Sequence, residues 1–205
     1  ARKNFHYRIV KCANCELVYS TPIFSESEIN KLYKISRFTY LQESYNAQRT
    51  YGYYLKKYLN LIESKTALLE IGCGNGTFLK AALDYGFTEV RGIEPSADAV
   101  KAADAAIKSN IINAPYAQDL FQSEYFDIIC IFQVLDHIVN PNKFLSDIRH
   151  NLKTNGIVIC IVHNIDSLPA RLLAGNCGNI DINHISFFNK QTLKTIFEQN
   201  GNKAG

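Results

Sequence analysis

The sequence predicts an α/β fold in which helices flank a mostly parallel β-sheet. The first observation is an apolar run at 67–71 that gives way to three alternating glycines and then to helical spacing from Thr77 onward. A parallel strand that is covered on both faces has such an apolar run. Two more apolar runs, at 89–94 and 126–132, are each followed by a helical pattern. This alternation of strands and helices is typical of α/β proteins.

The composition indicates one substantial hydrophobic core and argues against several functions. The 205 residues are 47% hydrophobic and 12% aromatic, which suffices for one main domain with a small appended region. The formal net charge is +3 and the basic residues are scattered, so we expect no nucleic-acid partner. No apolar run reaches membrane-spanning length and the first residues lack a signal-like core, so we expect a soluble cytoplasmic protein without a membrane partner.

The first segment, 1–24, is expected to form a hairpin. Residues 5–19 alternate in polarity on both sides of a C-x-x-C turn made by Cys12 and Cys15, which is the shape of a zinc knuckle. A structural zinc site takes four ligands, and His6 is a third candidate. Since we expect a cytoplasmic protein, the six cysteines are otherwise expected to be thiols. Cys12 and Cys15 are therefore zinc ligands or free thiols, and both interpretations stay open.

The remaining elements follow from helical and strand periodicity. Segment 25–62 is expected to be a helical cap, and 165–183 an insertion. The predicted helices cover 25–35, 43–62, 77–86, 97–108, 140–152 and 190–199, and the predicted strands cover 67–71, 89–94, 111–113, 126–132 and 156–162.

The glycine turn after the first of the core strands is the strongest functional signal. Glycines at 72, 74 and 76 allow positive φ and let a ligand approach the backbone, and the following helix offers unpaired N–H groups. The spacing does not fit the dinucleotide fingerprint G-x-G-x-x-G, because the sixth position counted from Gly72 is Thr77. Glu94 ends the next strand roughly 20 residues later, where Rossmann-like folds place an acid against ribose hydroxyls. We therefore predict an adenosyl ligand other than a dinucleotide.

The chain resembles the class I S-adenosylmethionine-dependent methyltransferases in two motifs, E-x-G-x-G-x-G at 70–76 and F-D-I-I-C-I-F-Q-V-L-D-H at 126–137. The resemblance extends over roughly 68–164. It implies a Rossmann-like core at 63–205, expected to lack its last strands, with S-adenosylmethionine (SAM) as the cofactor. One departure is Gln118, because the family often has an acid in this region that contacts the adenine. The residues implied to bind SAM are Glu70, Gly72, Cys73, Gly74, Asn75, Gly76, Glu94, Pro95, Ser96, Gln118, Phe132, Gln133, Val134 and His137.

Both ends of the chain resemble small-molecule methyltransferases, including sugar C-methyltransferases. The C-x-x-C hairpin is similar to the second half of a small zinc-binding domain that precedes some of them. The sequence N-H-I-S-F-F at 183–188 is similar to an element on the side from which their acceptors enter. That resemblance implies His184 as the general base and His137 as a weaker second, since an imidazole accepts a proton near neutral pH. Alternatively, His184 caps the last helix or fixes the insertion by a backbone hydrogen bond.

The predicted reaction is methyl transfer to an oxygen or a carbon of a small molecule. The sulfonium of SAM is an activated donor, so the protein has to hold donor and acceptor close together and to supply a base where the acceptor loses a proton. The motif N/D-P-P-Y/F of enzymes that methylate amino groups is absent after the fourth strand. Two alternatives stay open: a non-catalytic SAM-binding regulatory or scaffold module, and a methyltransferase that modifies macromolecules.

Overall fold

The computed structural model describes residues 7–39, 41–173, 177, 180 and 183–201. The chain divides into two compact units. The first unit comprises Ala1–Ser25, Gln133–Ser146 and Ile161–Gly205, and the second comprises Glu26–Phe132 and Asp147–Cys160. Within the described ranges, no helix combines the length and the apolar character that crossing a membrane requires.

The helices and strands are numbered in chain order. They are β1 (Ile9–Lys11), β2 (Val18–Ser20), α1 (Glu26–Lys34), α2 (Leu41–Tyr58), β3 (Ala67–Ile71), α3 (Thr77–Asp84), β4 (Glu89–Ile93), α4 (Ala97–Lys101), α5 (Ala105–Lys108), β5 (Ile111–Ile112), β6 (Phe126–Phe132), α6 (Pro141–Asn151), β7 (Leu152–Ile161), α7 (Leu168–Leu173), β8 (Ser186–Phe187) and α8 (Lys190–Gln199). Short 3-10 helices cover Leu59–Leu61, Gln118–Leu120 and Leu135–His137.

The larger sheet belongs to the second unit and has the strand order β5-β4-β3-β6-β7. β3 pairs in parallel with both β4 and β6, and β4 pairs in parallel with β5. Every residue of β3 and of β6 is buried, and both strands are accordingly apolar apart from Glu70 and Asp127. The predicted α/β fold with a mostly parallel sheet and flanking helices is confirmed.

The smaller sheet belongs to the first unit and has the order β1-β2-β8. β1 and β2 form the predicted antiparallel hairpin, closed by hydrogen bonds from Cys12 N to Leu17 O and from Glu16 N to Cys12 O. β8, which pairs with β2, was not predicted, because two residues are too few to show a strand period. The core beneath this sheet contains Ala170, Cys177, Ile180 and Phe187.

Two predicted elements differ from the structure. The single helix predicted at 97–108 is two helices, because Asp104 accepts a hydrogen bond from Ala106 N at 2.9 Å and so starts a new helix. β7 begins at Leu152, four residues before the predicted start. It lies at the edge of its sheet, where Thr154 and Asn155 are exposed, so its polar beginning has no apolar pattern.

The packing at Gly92 gives a stability prediction. A Cβ atom at Gly92 would lie 2.5 Å from Sγ of Cys73 and 2.8 Å from Cδ1 of Leu79, so β4 has no room for a side chain there. We expect Gly92→Ala to lower the free energy of unfolding by about 1–3 kcal/mol, the usual cost of overpacking a core, as measured by urea denaturation.

Gly52→Ala, within α2, is the matched control for Gly92→Ala. The nearest atom to a Cβ there is Oη of Tyr85 at 3.3 Å, and alanine is favoured over glycine inside a helix by roughly 0.5–1 kcal/mol. This variant should be neutral or more stable. If Gly92→Ala were as stable as Gly52→Ala, the close packing of Cys73 against β4 would be disproved.

Candidate functional site

The glycine turn after β3 has the predicted backbone conformation. Gly72, Gly74 and Gly76 have φ values of 73°, 55° and 73°, in the left-handed region that favours glycine. The N–H groups of Gly72 and Cys73 both donate to the carbonyl of Ile93, at 2.8 and 3.0 Å. The turn is thereby fixed to the end of the neighbouring strand β4.

Glu94 connects this turn to the next one. Its side chain is buried, Oε2 accepts from Gly74 N at 2.8 Å, and Oε1 accepts from Ser96 N at 2.8 Å. Burial raises the pKa of the Glu94 carboxyl, although these two hydrogen bonds act in the opposite direction. A carboxylate has roughly four acceptor positions, so two stay available for hydroxyl donors of a ligand.

Glu70 places a second buried carboxyl at the end of β3. It is 4% exposed, and its Oε2 has no hydrogen-bond partner among the described residues. Burial raises the pKa of Glu70 well above its ordinary value, and the charge of Glu94 raises it further. Two buried acids with raised pKa values favour a positively charged ligand, because such a charge would restore their ionised forms.

The other predicted residues of the turn pack locally. Cys73 is buried, and burial raises the pKa of its thiol well above the ordinary value, so it stays protonated. Asn75 is buried and accepts from Oγ1 of Thr77 at 3.3 Å. Ser96 caps α4 by accepting from Ala99 N, and the half-buried Pro95 precedes it.

The segment between α1 and α2 lies beside the glycine turn. Oγ of Ser96 donates to the carbonyl of Ser36 at 3.2 Å, and Phe38 N donates to Oδ2 of Asp98 at 2.9 Å. The ring of Phe38 lies 3.8 Å from the position that a Cβ of Gly74 would take. Phe38 follows a helix end in a stretch without periodicity, so only the folded chain reveals this contact.

Phe132 and Gln118 lie at the ends of other segments of the same unit. The Phe132 ring stacks on Tyr51 with centroids 4.1 Å apart and meets Phe78 edge-on at 5.0 Å, so it belongs to an aromatic cluster. The half-buried Gln118 begins a 3-10 helix whose backbone is held by Asn151. Nδ2 of Asn151 lies 3.1 Å from the carbonyl oxygens of Gln118, Phe121 and Gln122.

Gln133 and Val134, in the first unit, follow β6 in the chain. Gln133 has a φ of 55°, which is uncommon for a residue with a side chain and occurs often at functional sites. Its N–H donates to Ile161 O at 2.7 Å, while its buried Oε1 has no hydrogen-bond partner within the part of the chain that the structure describes. The carbonyl of the half-buried Val134 accepts from His137 N at 2.9 Å.

The two histidines predicted as bases lie next to each other in the first unit. The rings of His137 and His184 have centroids 4.6 Å apart, and that of His163 lies 5.8 Å from His184. Asp136, which was not predicted as a site residue, completes the cluster. Its Oδ2 lies 3.6 Å from Nε2 of His184, and its Oδ1 lies 3.9 Å from Nε2 of His137.

Cys12 and Cys15 lie in the turn between β1 and β2. Cys12 is half-buried and Cys15 is exposed. Hydrogen bonds from the backbone of Cys15 and Asn14 lower the pKa of the Cys12 thiol, which favours the thiolate that binds metals. His6, the third candidate ligand, lies outside the described residues.

Comparisons with known proteins show what the chain is similar to. A family model described as a methyltransferase domain matches residues 44–203. The mitochondrial ubiquinone biosynthesis O-methyltransferase of Candida albicans is 30% identical over 116 residues, which cover 52% of this chain and 35% of that protein. The ubiquinone biosynthesis O-methyltransferase of Glaesserella parasuis is 32% identical over 101 residues, covering 44% of this chain and 42% of that protein. The matched region thus spans less than half the length of these relatives.

Solved structures share the fold. A SAM-dependent methyltransferase from Archaeoglobus fulgidus superposes with a TM-score of 0.60 at 23% identity, covering 75% of this chain and 68% of that chain. Phosphoethanolamine N-methyltransferase 2 from Haemonchus contortus, in complex with S-adenosyl-L-methionine, superposes with a TM-score of 0.60 at 16% identity, covering 90% of this chain and 46% of that chain. At these identities the likeness concerns the fold alone.

The buried position of Glu70 predicts a pH-dependent stability change. Because its pKa is raised in the folded state, the folded protein binds more protons than the unfolded chain above the unfolded pKa of about 4.3, and this carboxyl opposes folding there. Glu70→Gln removes that opposition. Its melting midpoint should exceed that of the wild type by a few degrees at about pH 8, and the difference should shrink toward about pH 5.

Glu89→Gln, at the start of β4, is a matched control for which we expect the opposite change in melting temperature. The hydrogen bond from Oη of Tyr125 lowers the pKa of Glu89, so its carboxylate adds stability that is lost as the pH falls through the folded pKa. Its amide variant should melt below the wild type at about pH 8. If Glu70→Gln also melted below the wild type there, burial of Glu70 would not oppose folding.

Proposed function

Since this chain belongs to the S-adenosylmethionine-dependent methyltransferases, we propose that it methylates an oxygen or a carbon of a small molecule. The pair of buried carboxyls, Glu70 and Glu94, carries the cofactor part of the proposal. SAM brings a sulfonium and an ammonium group, and both acids are more stable as carboxylates beside a positive charge. The absence of the N/D-P-P-Y/F motif supports an acceptor other than an amino group.

The proposal gives the cofactor residues distinct roles. The amino-acid end of SAM binds at the carboxyl of Glu70 and at the glycines 72, 74 and 76. Glu94 accepts hydrogen bonds from the ribose hydroxyls. Gln118 contacts the adenine of SAM. The further residues proposed to line the cofactor are Cys73, Asn75, Pro95, Ser96, Phe132, Gln133, Val134 and His137.

An oxygen acceptor is the first choice. The relatives in Candida albicans and Glaesserella parasuis are named O-methyltransferases of ubiquinone biosynthesis. We propose that this chain likewise methylates a hydroxyl group on a small molecule, with a carbon acceptor as the second choice.

A hydroxyl acceptor needs a base, and we propose His184 for that role, with His137 second. The new oxygen–carbon bond would form as the sulfur–carbon bond of SAM breaks, with its electron pair staying on sulfur in the released S-adenosylhomocysteine, and the hydroxyl proton would move to Nε2 of His184. Oδ2 of Asp136, 3.6 Å from that nitrogen, would stabilise the resulting imidazolium by its negative charge.

The proposal also includes zinc at the β1–β2 hairpin. Cys12 and Cys15 supply two sulfur ligands on one turn, and the lowered pKa of Cys12 favours the ligating thiolate. A structural zinc site takes four ligands, so these two cysteines would bind zinc tightly only together with two more.

Isotopically methyl-labelled SAM tests the reaction directly. The chain is incubated with labelled SAM and, in separate reactions, with the small-molecule, protein and RNA fractions of one cell extract. We expect label in a small molecule together with S-adenosylhomocysteine, and removal of that label by ether cleavage, which spares carbon-bound methyl groups. Label confined to protein or RNA, or no S-adenosylhomocysteine in any fraction, would refute the proposed acceptor class.

Glu94→Gln tests the cofactor site. The amide keeps one acceptor oxygen for the backbone but loses the charge, so affinity for SAM should fall by about 1–3 kcal/mol, the scale of a hydrogen bond to a charged group. Isothermal titration calorimetry measures this change, and Glu89→Gln should leave the affinity unaltered. An unchanged SAM affinity in Glu94→Gln would remove Glu94 from the proposed site, and tight NAD binding by the wild type would overturn the assignment of SAM as the ligand.

His184→Ala tests the base. If His184 accepts the proton, turnover with the identified acceptor should fall about 100-fold or more, while SAM affinity and melting temperature stay near wild type. His150→Ala, at an exposed histidine near the end of α6, is the control and should keep full turnover. A His184→Ala enzyme within a fewfold of the wild type would assign this histidine to structure.

A further inference from the structure

Asn151 is a polar residue at a fully buried position. It is the last residue of α6, it is 0% exposed, and it belongs to the second unit together with segment 118–122. Its Nδ2 lies 3.1 Å from each of the carbonyl oxygens of Gln118, Phe121 and Gln122. An amide group has two N–H donors, so one of them is shared between two of these carbonyls. The buried amide is stabilised by these bonds, and in return it holds a backbone segment in place.

Two further contacts fix the orientation of Asn151. Oη of Tyr116 donates to Oδ1 of Asn151 at 2.5 Å. Burial, and to a smaller extent the charge of Asp147, raise the pKa of Tyr116, so this hydroxyl keeps its proton. The backbone carbonyl of Asn151 accepts from the N–H of Tyr125, which directly precedes β6, at 2.9 Å. The side-chain amide is therefore held with Nδ2 toward the three carbonyls.

The segment that Asn151 holds begins beside Glu94. Nδ2 of Asn113 donates to the carbonyl of Glu94 at 2.8 Å, and Glu94 N donates to Ile112 O at 3.1 Å. Segment 113–122 is thus fixed near its start by Asn113 and near its end by Asn151. In the proposed function Glu94 accepts from the ribose of SAM. Because the adenine is attached directly to that ribose, the segment that leads away from Glu94 is the part of this unit that borders the base.

We infer that Asn151 is a positioning residue for adenine recognition, which holds segment 118–122 so that the side chain of Gln118 meets the base. The inference rests on the proposed SAM site. A primary amide offers an acceptor and a donor side by side, and these match the amino group and the adjacent ring nitrogen of adenine. Gln118 starts a 3-10 helix of three residues, and so short a helix is not stable by itself. Asn151 supplies the constraint that the helix lacks.

The competing explanation is that Asn151 stabilises the fold without acting on the base. Loss of a purely stabilising contact would weaken the binding of every adenosyl ligand by the same factor. Displacement of Gln118 would, in addition, abolish the preference for ligands that carry the amino group of adenine. A ratio of two affinities therefore distinguishes a positioning role from a structural one.

Calorimetry with S-adenosylhomocysteine, and with its analogue in which hydrogen replaces the adenine amino group, measures this ratio. The wild type should bind S-adenosylhomocysteine about tenfold more tightly than the analogue, the effect of one hydrogen bond. Asn151→Ala and Gln118→Ala should each reduce this preference to about twofold or less. Amide hydrogen exchange at 118–122 should accelerate in Asn151→Ala but not in Gln118→Ala, because only the first change releases the backbone.

Asn110→Ala is the matched control. Nδ2 of Asn110 donates to Val90 O at 2.9 Å, so this asparagine also holds a backbone carbonyl in the same unit, and its variant should keep the wild-type preference. Tyr116→Phe keeps the ring and removes only the hydroxyl that orients Asn151. It should lose part of the preference, and it tests the inference even if Asn151→Ala does not fold.

The wild-type preference in both Asn151→Ala and Tyr116→Phe, or unchanged exchange at 118–122 in Asn151→Ala, would overturn the inference. An equal loss of preference in Asn110→Ala would also overturn it, since that result would show general loosening of the fold. A wild type that binds both ligands equally tightly would leave the SAM site standing and refute the inference alone. A wild type that does not bind S-adenosylhomocysteine would refute the proposed SAM site and the inference with it.

Discussion

Two hydrogen bonds to one carboxylate organise the carboxyl end of the larger sheet. Oε2 of Glu94 accepts from Gly74 and Oε1 accepts from Ser96, each at 2.8 Å. The first donor belongs to the turn after β3 and the second to the start of α4, so one side chain joins two adjacent strand-to-helix turns. Hydrogen bonds to an ionised group are about twice as strong as neutral ones. The positive-φ turn is therefore ordered before a ligand binds, so less conformational entropy is lost on binding.

At the same end of the sheet, burial opposes the ionisation of two carboxyl groups. Burial raises the pKa of both Glu70 and Glu94, which means that the folded protein resists ionising them. A core optimised for stability would place amides or apolar groups there, since an unpaired buried charge costs free energy. A cationic cofactor reverses the balance because it stabilises the ionised forms. Under the proposed function, the lower stability of the ligand-free protein would be the consequence of selectivity for a positively charged ligand, a relation that is common at binding sites.

The features that the sequence predicts are those that depend on residues close together in the chain. The strand β3, the glycine turn and the helix α8 were located from a local apolar run, a local spacing and a local helical periodicity. The break between α4 and α5 was missed because Asp104 resembles any exposed helix residue until its side chain is seen to accept from Ala106 N. Phe38 was missed because its place beside Gly74 depends on how the segment after α1 folds back, which no periodicity records.

The histidine cluster, in contrast, depends on residues that are far apart in the chain. His137 and His184 were each predicted from a local motif. Asp136 was not predicted, because its place beside His184 depends on the fold. The two segments that meet there are far apart in the chain, since 46 residues separate His137 from Asn183, whose carbonyl it contacts. Buried polar atoms in native proteins nearly always have partners, so the exceptions require a reason. Here Glu70, Gln133 and Asp136 all keep buried oxygens without hydrogen bonds among the described residues. Each of these side chains lies in or next to a motif from which functional residues were predicted, and a ligand bound there would supply the missing partner.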